Sequence, residues 1–295
     1  MAEIIQKDGT WTFDGETVRI VPGSDKGVSL LRKTLGELAV PLAAVAGVSF
    51  EPGKKRGRLR LRLRNGADPL LQITGSNLTD GSDPYHLTVE NDRTGTAEYF
   101  VDAVRNALML EQIPADPVDR YLLRGPSLPI TVGAGDGTVS FDGEQIRLSW
   151  NWKTQESKAS GGPRTILVED VEAVEWLPPS GLDNGYLRFT VTRSATTAPP
   201  KYDPHAVELW GFRKDPLMAL VAAAVVARLP HPYGSAKGTT PVLPAAQAAE
   251  AGTGADAADH DVLLRRLREL GELHRSGVLT DDEFATAKQA ILTRL

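Results

Sequence analysis

The sequence predicts a mainly β protein of the α+β class, in which one small domain occurs twice in tandem and a two-helix hairpin follows. Three observations support this prediction. The segment 9–20, Gly-Thr-Trp-Thr-Phe-Asp-Gly-Glu-Thr-Val-Arg-Ile, returns at 137–148 as Gly-Thr-Val-Ser-Phe-Asp-Gly-Glu-Gln-Ile-Arg-Leu. Within each copy, short runs of β-branched and aromatic residues alternate with polar ones, which is typical of antiparallel strands. Each copy then ends in an apolar pattern with the period of a helix.

Later landmarks recur in the same order in both copies. Val-Ala-Gly-Val-Ser-Phe at 45–50 matches Val-Glu-Ala-Val-Glu-Trp at 171–176, Leu59-Arg60 matches Leu187-Arg188, and Asp83-Pro84 matches Asp203-Pro204. The length of 295 residues suits two ordinary domains and a smaller piece. The predicted division is repeat one at 1–112, a connector at 113–130, repeat two at 131–230, a flexible linker at 231–260 and a helical hairpin at 261–295.

The strands are predicted from alternation and from turn residues. Asp14-Gly15 and Asp142-Gly143 each separate two alternating runs, and Asp-Gly supplies the backbone angles of a tight hairpin. Further strands are expected in repeat one at 27–33, 45–51, 57–64, 69–74 and 85–91, and in repeat two at 148–154, 164–168, 171–177, 185–193 and 205–212.

One helix is predicted at the end of each repeat. In repeat one it spans about 95–111, with an apolar stripe that contains Phe100, Val101 and Val104. In repeat two it spans about 215–229 and begins at Asp215-Pro216, a capping residue followed by a first-turn proline. Its apolar run is shorter than the roughly 20 residues that cross a bilayer, so a buried helix is expected. Each repeat should therefore be a bent antiparallel sheet closed at one end by a C-terminal helix.

This order of elements resembles a pleckstrin-homology-like (PH-like) domain. The repeated segments quoted above are similar to an actinobacterial family of unknown function that occurs as two such domains in tandem. The resemblance covers about 9–110 and 137–229, and its motifs are turns and core positions. It implies a fold for each repeat and leaves the function open.

The C-terminal part is predicted to be a tether followed by two helices. From about 230 to 260 the composition changes to Ala, Gly, Pro, Thr and Ser, which predicts a flexible segment with an end-to-end distance of about 30 Å. A helical period then resumes, Ser276-Gly277 breaks it, and Thr280 with Glu283 forms the capping box of a second helix. The acidic residues of that capping box are better explained as a cap than as a metal site. The segment 261–293 resembles the short C-terminal (SHOCT-type) domain found at the ends of many bacterial proteins.

The two helices of this hairpin would share an apolar face. About 35 residues are too few for a self-sufficient core, so another copy of the hairpin or a partner protein should cover that face. The sequence therefore predicts a homo-oligomer, with an unknown protein as the other possible partner. The residues of the candidate oligomerisation face are Leu263, Leu267, Leu270, Leu273, Leu279, Phe284, Ile291 and Leu292.

Composition argues against several functional classes. The chain has no cysteine, and its five histidines are scattered, so no catalytic, cofactor-binding or metal-ligating residues are predicted. The formal net charge of −5 disfavours nonspecific binding of nucleic acid. The first ten residues lack the basic and then apolar pattern of a secretory signal, which predicts a cytoplasmic protein, with attachment to a membrane surface as the alternative.

A basic segment in repeat one is the feature that the fold does not require. In a strand, alternation from 56 to 64 puts the arginines on one face and Leu59, Leu61 and Leu63 on the other. The matching segment of repeat two, 185–193, keeps the apolar alternation and loses most of the charges. Two interpretations stay open: a solvated face balanced by nearby carboxylates, or a surface for an anion or an acidic partner. Its candidate residues are Lys54, Lys55, Arg56, Arg58, Arg60, Arg62 and Arg64.

Two other motifs are weaker. The Gly-rich segment 133–137 leads into a strand rather than a helix, so it is predicted to be a flexible entry to repeat two and not a phosphate loop. Trp150, Trp152 and Trp176 could form an aromatic platform, although core packing explains large aromatic residues more simply.

The function that fits these patterns best is a non-enzymatic cytoplasmic scaffold or adaptor. Its repeats would bind partner proteins and its hairpin would self-associate, so that linked weak sites gain effective concentration. The alternative is a peripheral membrane module that binds anionic lipid through Arg58, Arg60, Arg62 and Arg64. An enzyme is the third possibility, and it would need groups from distant loops to converge in a pocket.

Overall fold

The structure is a computed structural model that describes residues 1–192, 196 and 198–234. This part of the chain is mainly β and contains four antiparallel sheets. The α+β class expected from the sequence is therefore confirmed. The residues of the predicted hairpin at 261–295, including the candidate oligomerisation face, lie outside the described residues.

Repeat one consists of two sheets and a closing helix. The first sheet contains β1 (Ala2–Gln6), β2 (Gly9–Phe13), β3 (Thr17–Pro22) and β4 (Leu38–Pro41), which pair in that order, and α1 (Leu30–Leu35) lies between β3 and β4. The second sheet contains β5 (Val45–Glu51), β6 (Arg56–Leu63) and β7 (His86–Glu90), again in chain order. Helix α2 (Pro69–Thr74) lies between β6 and β7, and α3 (Thr94–Leu110) follows β7.

Repeat two has the same order of strands. Its first sheet contains β8 (Ile130–Ala134), β9 (Gly137–Phe141), β10 (Gln145–Trp150) and β11 (Arg164–Leu167), with α4 (Glu156–Ala159) before β11. Its second sheet contains β12 (Val171–Leu177), β13 (Gly185–Val191) and β14 (Ala206–Leu209), and α5 (Met218–Val226) closes the repeat. Among the described residues between β13 and β14, no helix corresponds to α2.

Two segments predicted as strands are helices. The predicted strand at 27–33 overlaps α1, whose N-cap Ser29 accepts a hydrogen bond from the Arg32 amide at 3.2 Å. The predicted strand at 69–74 is α2, which begins after the N-cap Asp68 with Pro69 in its first turn. A capping side chain favours a short helix over a strand at both places, and the first-turn proline adds to this preference in α2.

The Gly-rich segment 133–137 at the start of repeat two also differs from the prediction. It was expected to be a flexible entry, but its first two residues belong to β8, which pairs with β9. Gly135 has φ +56°, and a Cβ there would collide with the Glu208 carbonyl oxygen. The segment is therefore a tight turn that is held against β14, and it has no room for a side chain at this glycine.

Helix α5 explains how the two repeats are joined. Every residue of α5 is buried, because the helix packs against the sheets of its own repeat and against α2 of repeat one. The side chains of Leu31 and Leu70, both from repeat one, belong to the hydrophobic core of repeat two. Within the described part of the chain, no helix is both long and apolar enough to cross a bilayer. The prediction that the apolar run ending at 229 forms a buried helix is therefore confirmed.

The connector strengthens this junction. The amides of Leu122 and Leu123 donate hydrogen bonds to the Ala67 carbonyl at 2.9 and 3.0 Å, so the connector runs along the loop before α2. After α5, His231 lies 2.9 Å from the Gly66 carbonyl oxygen through Nε2, and its ring contacts that of Tyr121 edge to face. The two repeats thus form one folded body.

A buried ion pair occurs in repeat two between its two sheets. The Lys158 ammonium on α4 lies 2.7 Å from an oxygen of Asp136, and both side chains are buried. The other carboxylate oxygen of Asp136 accepts a hydrogen bond from the Glu208 amide of β14 at 2.9 Å. Burial raises the pKa of the Asp136 carboxyl and lowers the pKa of the Lys158 ammonium. The carboxylate thus connects the β8–β9 turn to the second sheet.

Repeat one has the same arrangement with an arginine as the cation. Arg32 on α1 lies 3.6 Å from the Asp8 carboxylate, and its side chain also donates a hydrogen bond to the Asp8 carbonyl at 2.9 Å. Asp8 in turn accepts a hydrogen bond from the Thr88 amide of β7 at 3.1 Å. Asp8 and Asp136 both precede the repeated Gly-Thr of the opening segment, so this connection between sheets is a property of the repeated domain.

Candidate interaction surface

The outer face of β6 carries the basic segment that the sequence singled out. Along β6, exposed arginines alternate with buried Leu59, Leu61 and Leu63, and the leucines belong to the core of repeat one. The exposed side chains, which we call the basic face, are Arg56, Arg58, Arg60 and Arg62. Lys54 and Lys55 are exposed in the turn that leads into β6. The strand therefore presents its charges to solvent.

Carboxylates balance the basic face only in part. Arg56 pairs with Glu90 of β7 at 3.2 Å, while Arg58 and Arg60 share Asp80 at 3.4 and 3.2 Å. Among the described residues, Arg62 makes no ion pair. Ion pairs between exposed side chains contribute only about 0–1 kcal/mol each to stability. Such weak pairs leave the arginines available to another anion.

Arg64 differs from the other arginines of the segment. It follows the last residue of β6, and its guanidinium donates hydrogen bonds to the carbonyls of Asp116 and Ala43 at 2.8 and 3.0 Å. These bonds hold the connector against repeat one. We therefore assign Arg64 a structural role and leave it out of the basic face.

Comparison with repeat two separates the arginine position that both repeats share from the arginines that occur only in repeat one. The position of Arg60 is matched by Arg188 on β13, which lies 2.9 Å from the fully buried carboxylate of Asp203. The matching carboxylate in repeat one is Asp83, whose pKa is raised by burial. An arginine next to this carboxylate is thus present in both repeats, while the other arginines of the face occur only in repeat one.

A groove continues the basic face toward α3. It lies between β5, an end strand of its sheet, and α3, with a cavity volume of about 710 Å³. Arg60 and Arg62 line one side of the groove and Arg105 lines the other. The Arg105 guanidinium donates two hydrogen bonds to the Val48 carbonyl, at 3.2 and 3.1 Å. Sequence patterns gave no signal for this groove, because Arg105 comes from a different element.

The three tryptophans proposed as a platform are not brought together. Trp176 is buried, and the Trp150 indole N–H donates a hydrogen bond to the Gly162 carbonyl at 2.9 Å. Trp152 lies beyond the end of β10 and is 89% exposed. The ammonium of Lys153 lies 5.2 Å from the Trp210 ring centroid and 5.4 Å from that of Trp152. An aromatic surface thus exists in repeat two, but its second tryptophan comes from the loop after β14.

The buried carboxyl group of Asp68 has structural partners. Asp68, whose pKa is raised by burial, caps α2 and accepts a hydrogen bond from the Tyr85 hydroxyl at 2.7 Å. Burial lowers the pKa of His86 and of His205. Within the same described residues, no group of three or more His, Asp or Glu side chains could hold a metal ion.

Comparison with known families agrees with the repeated sequence. The family described as Domain of unknown function (DUF4429) matches residues 11–105 and again residues 139–226. The family described as Short C-terminal domain (SHOCT) matches residues 265–292. No curated protein matches the chain.

Proposed function

The chain belongs to the DUF4429 family, whose domain it contains twice. We propose that it is a non-enzymatic scaffold that binds an acidic segment of a partner protein through the basic face of repeat one. We also infer that each repeat is a PH-like domain. The order of a four-stranded sheet, a three-stranded sheet and a C-terminal helix supports this inference.

The observation that carries the proposal is the difference between the two repeats. Both fold with the same strands, but Arg56, Arg58 and Arg62 have no basic counterparts on the outer face of β13, where Tyr186 and Thr190 are found. Aligned like charges on one strand face repel one another, so an acidic ligand would lower the energy of the face. A protein segment is favoured over nucleic acid, because no stacking aromatic residues lie among the arginines.

Reversing two charges of the basic face should remove this binding without unfolding the protein. Arg58→Glu with Arg62→Glu is the variant of choice, because Arg60 acts electrostatically on half-buried Asp83 and Arg64 holds the connector. A labelled polyglutamate peptide should bind the wild type at low salt. Its affinity for the variant should be lower by a factor of roughly ten or more. Fluorescence anisotropy measures the binding, and thermal melting checks the fold.

The control for this experiment is Arg124→Glu with Arg147→Glu, which changes the net charge equally at two exposed sites away from the face. The control should bind the peptide like the wild type, apart from a small effect of net charge. Equal weakening in both double variants would show that net charge and not the basic face drives binding. An unfolded Arg58→Glu, Arg62→Glu protein would show that the arginines stabilise the fold.

The alternative proposal is a peripheral membrane module that uses the same arginines. It is supported by the exposure of Lys54 and Lys55 next to Arg56 and Arg58, which makes a cluster of cations at one end of β6. Each such cation near an anionic membrane contributes about 1 kcal/mol, and the attraction falls within a Debye length. Sedimentation with phosphatidylserine vesicles and with neutral vesicles distinguishes the two. Salt-sensitive binding to the anionic vesicles alone would favour the membrane module.

We further propose that the chain self-associates through 261–295. The sequence basis is the apolar face that contains Leu267, Leu270 and Phe284, in a segment too short for its own core. Light scattering should give a multimer for the full chain and a smaller species for a chain that ends at Gly254. Leu270→Asp in the full chain should give the same mass as the shortened chain. Equal masses for all three proteins would contradict self-association through this segment.

A further inference from the structure

The space beside the C-terminal helix and the first strand of the second sheet is filled in repeat two and open in repeat one. In repeat two, α2 of repeat one packs against both α5 and β12, and the side chains of Leu70 and Ile73 lie against the core there. In repeat one, the corresponding elements are α3 and β5, and the space beside them is the open groove of about 710 Å³. The chain therefore shows in repeat two which kind of segment this place accepts: a short helix with an apolar face.

The lining of the open groove differs from that of the filled place in charge. In the filled place, the turn of α5 that corresponds to Arg105 carries Val225 and Val226, which suits the apolar side chains of α2. The open groove keeps apolar surface in Leu108 and Met109 and is flanked by Arg60, Arg62 and Arg105. Met109 is 70% exposed although it lies beside the groove. Glu51 is the single carboxylate that lines the groove beside these three arginines, and Asp80, outside the groove, pairs with Arg60 at 3.2 Å.

Arg105 is positioned to receive a carboxylate. Both of its hydrogen bonds go to one neutral acceptor, the Val48 carbonyl on β5. A bond from a guanidinium to a carboxylate is stronger than one to a neutral carbonyl, and its two-pronged geometry suits the arginine. An acidic side chain that enters the groove would therefore gain a strong partner.

We propose that the groove between β5 and α3 binds a short amphipathic helix of a partner protein, with its apolar face on Leu108 and Met109 and its carboxylates at Arg60, Arg62 and Arg105. This inference rests on the proposed function and names the site and the partner class. The helical form follows from the occupation of the matching place by α2, and the acidic character follows from the charges of the groove.

Two labelled peptides test the proposal on the full chain. The first is a helix former with leucines at i, i+3, i+4 and i+7 and glutamates on the other face. The second contains the same residues in scrambled order, so it keeps the charge and loses the apolar stripe. We expect the amphipathic peptide to bind at least roughly tenfold more tightly, because burial of several leucines adds to the ionic attraction. Equal binding of the two peptides would overturn the proposal.

Variants locate the site. Arg105→Glu and Met109→Glu should each weaken binding of the amphipathic peptide roughly tenfold or more. Two exposed controls, Arg147→Glu on β10 and Tyr99→Ser on α3, lie outside both the groove and the basic face and should change the affinity by about twofold at most. Nuclear magnetic resonance shifts of the Val48 amide should move on titration with the amphipathic peptide in the wild type.

The outcomes separate this inference from the proposed function. If Arg58→Glu with Arg62→Glu abolishes binding while Arg105→Glu and Met109→Glu have no effect, the basic face binds the acidic peptide and the groove proposal fails. If neither the groove variants nor the basic-face variant weakens binding, both proposals fail. A lower mass of the Met109→Glu chain in light scattering without peptide would identify a second copy as the occupant and would also overturn the inference.

Discussion

Asp136→Asn should lower the free energy of unfolding by about 3–5 kcal/mol, because it leaves the buried ammonium of Lys158 without its charged partner. Asparagine keeps the size of the side chain and can still accept the hydrogen bond from the Glu208 amide. The loss should therefore report the charge pair and not the shape of the turn. Denaturant unfolding followed by tryptophan fluorescence measures the effect.

A second substitution checks the cause. Lys158→Met in the Asp136→Asn background should recover much of the lost stability, since an apolar side chain of similar length removes the unpaired charge. If the losses of stability from the two substitutions instead add, the carboxylate and the ammonium stabilise the fold independently. The exposed ion pair of Arg56 with Glu90 provides the contrast, because Arg56→Met should cost about 1 kcal/mol or less.

Leu70→Ala should destabilise repeat two although the residue belongs to repeat one. Truncation of a buried leucine costs about 2–5 kcal/mol, and the Leu70 side chain lies in the core of repeat two. Amide hydrogen exchange should therefore accelerate in α5, against which α2 packs. The neighbouring Leu71, which packs against the core of repeat one, is the matched control.

Leu71→Ala should leave the protection of α5 nearly unchanged and should accelerate exchange in repeat one. If Leu70→Ala affects only repeat one, then α2 does not hold the two repeats together in solution. A loss of protection throughout both repeats in either variant would show that the body unfolds in one step, and the two variants would then be compared by denaturant unfolding.

The repetition and the alternation of the sequence were sufficient for much of the fold. The two Asp-Gly hairpins and the strand at 56–63 follow from local residue patterns, because turn chemistry and alternation are properties of neighbouring residues. The helices α1 and α2 were predicted as strands, since six residues are too few for a clear helical period and their caps decide the outcome.

The candidate site could be predicted only in part. The arginines of β6 were found because they alternate within one strand, but Arg64 was grouped with them although it lies past the end of β6 and binds the connector. The pairing of Lys158 with Asp136 and the position of Arg105 beside β5 depend on contacts between distant segments. The groove between β5 and α3 likewise depends on the packing of separate elements, and α2 fills the matching space in repeat two.

Affinity capture with quantitative mass spectrometry can show whether repeat one binds an acidic protein segment through its basic face. The full wild-type chain, the Arg58→Glu, Arg62→Glu variant and the Arg124→Glu, Arg147→Glu control would each be used as bait in a native lysate. We expect a partner with an acidic segment that the wild type and the control retain and the basic-face variant loses. The same set of partners on all three baits would contradict binding through the basic face.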